Sequence, residues 1–150
     1  MDKTDFDPLD PNYDERVRAS FDAQAMMHSL GITIAGLGPG WIDLEFDHQD
    51  QFTQQHGFIH GGAISTALDS ACGYAAFSLM AADAAVLTVE FKVNLLRPAK
   101  ADRYRASGVV VKTGRTLTVS QAVATPAEGG DAIAVMTGTL MALHDAGIVQ

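Results

Sequence analysis

The stretch HGFIHGGAISTALDSACGYAA, His56 to Ala76, sets two histidines, four glycines and one carboxylate, Asp69, among small and apolar residues. On helical spacing Ile64, Ala67, Leu68, Ala71, Ala75 and Leu79 form a broad apolar face. Gly62, Thr66, Asp69, Gly73 and Ala76 recur on a second stripe at steps of four, three, four and three. Two readings of that stripe stay open. In one, small residues serve close packing and Asp69 is hydrogen-bonded at a rim. In the other, they leave room for a substrate beside a carboxylate. Asp69 has no lysine or arginine nearby in sequence, so an idle buried charge there is costly, which favours the second. His60, Gly61 and Gly62 precede or open the same helix. Free N–H groups at a helix start carry partial positive charge and suit an oxyanion or a polarised carbonyl. Glycine lets a ligand approach that backbone closely, although HGG alone could be only a tight turn.

His60 and Asp69 are nine positions apart, roughly 13 Å along a helix. One substrate carbon cannot touch both ends, so joint action requires two chains with antiparallel helices side by side in a twofold dimer. The spacing of His56 and His60 resembles a helical metal pair, but Gly57 lies between them and no third ligand is evident, so no metal is expected. Cys72 lies on the apolar side of the helix and reads as core, not nucleophile. Ser65 and Ser70 lack the sequence signs of a triad. Tyr74 and Phe77 could line an acyl or aryl pocket, with core packing the competing reading. Nothing supports His28, His48 or His144 as site residues.

The elements that position these groups follow from patterning. The 150 residues, 47% hydrophobic and 19% charged, suit one globular domain with its own core. No apolar run is long enough to span a bilayer, so no membrane partner is expected. The opening MDKTDFDPLD lacks the basic and apolar regions of a signal peptide, which implies a cytoplasmic location. The first residues, with Pro8 and Pro11 among aspartates, read as a loose acidic tail, taken as 1–19 with the folded domain at 20–150. NYDERVRASFDAQAMMHSLG predicts a helix through Val17, Phe21, Met26 and Leu30 that stops at Gly31. WIDLEFD alternates as a strand, and a second helix runs from Gly62 to about Met80. Strand-like runs follow at Val86 to Leu96, Tyr104 to Lys112, Arg115 to Thr125 and Ala132 to Leu143. RPAKAD, KTGR and AEGGD sit between them as turns, which implies successive antiparallel hairpins. The order predicts an α+β domain whose long apolar helix is covered by a sheet.

A net charge of -8 argues against a nucleic-acid partner. Residues 92–115 nevertheless hold seven bases, among them Arg97, Lys100, Arg103 and Arg115, against the single acid Asp102. They form either solvated strand and turn residues or a site for a small polyanion.

QQHGFIHGGAISTALDSACGYAA followed by VLTVEFKVNLLRPAKAD resembles the PaaI-type acyl-CoA thioesterases of the hotdog fold, and in element order the resemblance spans about residues 20 to 143. It implies a long central helix wrapped by an antiparallel sheet. It also implies dimers, often paired into tetramers, with sites at the subunit interface. Carried over by position, Asp69 is the catalytic carboxylate, Gly61 polarises the thioester carbonyl through its N–H, and His60 orients that turn or the substrate. Thr88 matches a position where some relatives carry a serine that helps hold water. Where many relatives have asparagine six residues before the histidine, this chain has Gln54, followed by Gln55 and His56, so an amide is kept at a different reach. The implied reaction is hydrolysis of an acyl-CoA to acid and CoA with no cofactor. Gly62, Gln55, His56, Arg97, Lys100 and Arg115 are the candidate substrate-binding residues. A non-catalytic acyl-CoA sensor and a hydroxyacyl-thioester dehydratase on the same scaffold are the alternatives.

Overall fold

The computed structural model describes residues 6–144, so the first five residues of the expected tail and the last six of the expected domain lie outside it. Helices α1 (Tyr13–Ala23) and α2 (Ala25–Leu30) lead into strands β1 (Thr33–Gly38) and β2 (Trp41–Asp47). A short 3-10 turn, Asp50–Phe52, precedes the long helix α3 (Gly61–Phe77). Strands β3 (Ala84–Leu95), β4 (Arg103–Thr113), β5 (Leu117–Pro126) and β6 (Ala134–His144) complete the fold. All six strands join one antiparallel sheet in the order β1-β2-β4-β5-β6-β3.

Helix α3 lies against one face of this sheet because its apolar side has nowhere else to go. Ile64, Ala67, Leu68, Ala71 and Ala75 are all buried in one cluster with Ile42 and Leu44 of β2, Tyr104 and Ala106 of β4, and Met136 and Leu140 of β6. The approach is close enough that a Cβ on Gly108 of β4 would sit 2.4 Å from the Ala71 carbonyl oxygen. A backbone atom cannot rotate away as a side-chain tip can, so only glycine fits there.

Three expectations are corrected. The residues assigned to a tail through position 19 include most of α1, whose Val17 is fully buried. Arg16 ties this segment to the end of α3. Its Nε donates to the Asp10 carboxylate at 2.7 Å and its Nη2 to the Met80 and Phe77 carbonyls at 2.8 and 3.3 Å, while the guanidinium lies 4.2 Å from the Phe77 ring centroid. The Asn12 N–H and then Arg16 hold the Asp10 carboxyl below its usual range. The first helix is also broken, because Gln24 is extended (φ -80°, ψ 105°). The break shifts the phase of α2, so Met27 is buried where Met26 was expected. Finally, β3 and β4 do not form a hairpin. The connector RPAKAD is no tight turn: buried Ala99 accepts from the Ile59 N–H and the Tyr104 hydroxyl, and the chain crosses to the other side of the sheet. Strand β3 is thereby left at an edge.

Candidate functional site

Asp69 sits two turns into α3, half-buried, on the side that faces β3 rather than the centre of the sheet. Its Oδ1 accepts a hydrogen bond of 2.9 Å from the Thr88 hydroxyl. The period-2 pattern of β3 would put Thr88 on the opposite face from Phe91. A bulge between Thr88 and Glu90 reverses this, and Thr88 pairs with the helix-facing Leu140 while Glu90 pairs with the outward Thr139. No cationic side chain among the described residues pairs with Asp69. Burial raises its pKa above the usual 3.8, and the Thr88 hydrogen bond offsets only part of that shift. A carboxylate held this way is a stronger base than a solvated one. It opens into a cavity of about 560 Å³ between α2, α3 and β3, lined by Gln24, Met26, Met27, Gly62, Ser65, Thr66, Ser70, Gly73, Tyr74, Val86, Thr88 and Phe91.

The start of α3 opens elsewhere. His60 is the N-cap, and its Nδ1 accepts from the Gly62 N–H at 2.9 Å. In the neutral ring this places the proton on Nε2. The Gly61 N–H makes no hydrogen bond among the described residues and stays available at the positive end of the helix. A Cβ on Gly61 would lie 2.5 Å from Leu95 Cδ1, the tip of an exposed side chain that can rotate away. Gly61 lines a second cavity of about 370 Å³ with Gln54, His56, Phe58, Ile64, Leu95, Arg97 and Pro98 among its walls. Gln54 is turned into its own loop, its side-chain oxygen accepting from the His56 N–H at 2.5 Å.

The expected residues thus divide into two groups. Asp69, Thr88 and Gly62 meet at the first cavity, and Gln54, His56, Gly61 and Arg97 meet at the second, while His60 lines neither and is tied through its cap to Gly62. Gln55 and Lys100 are exposed and line neither. Arg115 is not brought to Arg97: it lies at the β4–β5 turn beside His144, at the opposite end of the 11-residue β6 from the Ile133 wall of the second cavity. Arg103 and Arg105 are engaged across β2 and β4 with Asp47 (2.6 Å) and Glu45 (2.5 Å), and Arg97 pairs with Asp131. The stripe of small residues ends sooner than expected, since Ala76 is fully buried away from the cavity. Cys72 is also buried, and its thiol pKa is pushed up to about 12. Among the described residues no cluster of three or more His, Cys, Asp or Glu could hold a metal ion, and no helix is long and apolar enough to cross a membrane. Gln24, Met26 and Met27 are cavity residues that no local pattern marks, because the break at Gln24 and the packing of α2 over α3 bring them there.

Known proteins share this fold. The sequence profile of the thioesterase superfamily matches residues 56–133, which contain the start of α3, Asp69 and Thr88. A Halobacterium salinarum protein that carries an esterase name is 30% identical over 139 residues, covering 86% of this chain and 91% of its own. The crystal structure of a thioesterase family protein from Silicibacter pomeroyi aligns with a TM-score of 0.85 at 54% identity, covering 88% of this chain and 98% of that one. The PaaI protein from the phenylacetic acid degradation operon of E. coli shares the fold, with a TM-score of 0.81 at 21% identity over 90% of this chain and 96% of its own. With its long helix wrapped by one antiparallel sheet, the chain belongs to the thioesterase superfamily and has the hotdog fold.

Proposed function

We propose that this protein hydrolyses acyl-CoA thioesters at sites completed between two subunits, each joining Asp69 and Thr88 of one chain to the Gly61 N–H of its partner. The observation that carries the reading is Asp69: a half-buried carboxylate with no cationic partner, a raised pKa and one hydroxyl donor, facing a cavity. Family membership supports thioester hydrolysis in general. Within one chain Asp69 and Gly61 are eight residues, about 12 Å, apart on one helix and open into different cavities. The exposed edge of β3 supports a partner. Leu87, Val89, Phe91 and Leu95 of this strand and Leu96 just beyond it are 42–56% exposed, and a long apolar edge invites pairing. Antiparallel pairing of β3 with its twofold copy would bring the Asp69 cavity of one chain toward the helix start of the other.

In this site the Gly61 N–H and the helix dipole stabilise negative charge as it develops on the carbonyl oxygen. Asp69 takes a proton from water, whose oxygen attacks the carbonyl carbon. The C–S bond then breaks, the thiolate of CoA leaves and is protonated, and the acid is released. Should Asp69 attack directly instead, the C–S bond breaks as an acyl–Asp69 anhydride forms, and water attacking Cγ of Asp69 then releases the acid, so that a single turnover in 18O-labelled water leaves the label on the enzyme and the acid unlabelled. Arg97, on the wall of the second cavity, is the basic residue we assign to the CoA phosphates, with Lys100 three residues on in sequence.

A panel of acyl-CoAs assayed for free thiol, with products identified by mass, tests the reading. Acid and CoA from at least one member are expected. Tight binding without turnover would instead identify a sensor, and a product lighter by one water would identify a dehydratase.

A further inference from the structure

Helix α3 contains three glycines, and two of them have a side chain close to where a Cβ would stand. A Cβ on Gly61 would press on Leu95, and one on Gly62 would lie 3.0 Å from the His60 Nδ1 that caps the helix. A Cβ on Gly73 would meet nothing within 4 Å, and the Gly73 backbone is not in the left-handed region. Glycine is the least favourable helix-interior residue after proline. A 17-residue helix therefore carries in its C-terminal half a residue that neither packing nor backbone geometry requires.

Gly73 does border the cavity, one turn beyond Asp69 on the same side of α3 and about 6 Å further along its axis. The cavity's walls include the apolar or aromatic Met26, Met27, Tyr74, Val86 and Phe91 beside polar residues such as Ser70. A group attached to a carbonyl carbon held at Asp69 and running along the helix would pass directly over position 73. We propose that Gly73 is a specificity-determining residue: its missing side chain makes the space that the substrate's acyl chain occupies, and the site selects acyl groups larger than acetyl. This inference rests on the acyl-CoA reading above.

The test is a graded series of straight-chain acyl-CoAs, acetyl to decanoyl, assayed with the wild type, Gly73→Ala and Gly73→Leu. Melting temperature and sedimentation are measured on each protein. Filling the space should lower kcat/KM for the longer members relative to acetyl-CoA by at least about tenfold in Gly73→Leu, since single methylenes in an apolar pocket are resolved by that much, and by less in Gly73→Ala. Gly73→Ala should melt about 2–4 °C higher because the helix gains a better former. A Gly73→Leu protein that does not fold leaves the decision with Gly73→Ala, where a shifted length profile supports the proposal and an unchanged one overturns it. Parallel profiles in all three proteins, an equal loss on every substrate, or a Gly73→Ala protein that no longer assembles would also overturn it; the last would assign the glycine to the subunit contact. A wild type that hydrolyses no member of the series sinks the acyl-CoA reading itself, whereas an active wild type with unaltered variants sinks only the role of Gly73.

Discussion

Replacing Asp69 with asparagine separates chemistry from architecture at one atom. Asparagine has nearly the same shape, and its Oδ1 can still accept the 2.9 Å hydrogen bond from Thr88, so the cavity and the bulge in β3 should persist. What disappears is a base. A positioned general base contributes about a hundred- to ten-thousandfold, so turnover should fall by that factor, about 3 to 5 kcal/mol of barrier, with little change in KM. Stability should move the other way. Burial keeps Asp69 protonated in the folded state to a higher pH than in the unfolded chain. Over the interval between those two pKa values the folded state binds the extra proton, so folding free energy is lost as pH rises through it. At neutral pH the charged wild type bears that cost and Asp69→Asn does not. The variant should therefore melt at or above the wild type at pH 7, with the gap closing as the pH falls below the usual carboxylate value of 3.8. Thiol release and thermal melting across pH on both proteins check this. Retained turnover would refute the catalytic role. A variant that melts well below wild type by the same margin at every pH would show that Asp69 serves the fold.

The acid limb of the wild-type activity profile should lie above that of an unperturbed aspartate, because the essential form is the carboxylate and its pKa is raised. Arg97→Gln with Lys100→Gln should raise KM for acyl-CoA by up to about fivefold per charge, and the effect should fade as salt is added; unchanged KM at low salt would remove both from the site. Gly108→Ala should lower the melting temperature by several degrees, since its Cβ would lie 2.4 Å from the Ala71 carbonyl oxygen and overpacking costs about 1–3 kcal/mol. A Gly108→Ala protein as stable as wild type would mean that α3 can lift off β4 freely.

The elements with strong periodicity were legible in the sequence. The apolar face of α3 from Ile64 to Ala75 is buried as its spacing requires, and the last three strands lie within a few residues of their expected bounds. The helix start at His60 and the inward stripe around Asp69 also follow from local spacing. Features set by partners distant in sequence were not legible. Nothing near RPAKAD announces that β3 will pair with β6, because the crossover is fixed by Ile59 and Tyr104 gripping Ala99. Thr88 reaches Asp69 only through a bulge, which breaks the very alternation that identifies the strand. Charge clustering misled in part. Arg103 and Arg105 look like an anion site when read along the chain, but Asp47 and Glu45 stand opposite them on β2.

The central claim is that one site draws Asp69 and Gly61 from different chains, and mixing two inactive variants tests it directly. Asp69→Asn removes the base. Gly61→Pro removes the carbonyl donor at the first helical position, where proline is well tolerated and where the extended His60 (φ -62°, ψ 138°) suits a following proline. Each variant alone should lose at least about a hundredfold in turnover. After the two are unfolded together and refolded as an equal mixture, half of the dimers are hybrids, and each hybrid contains one site with both groups intact, so activity should return to about a quarter of wild type. A mixture no more active than its separate components would place both groups in one chain and contradict the shared site.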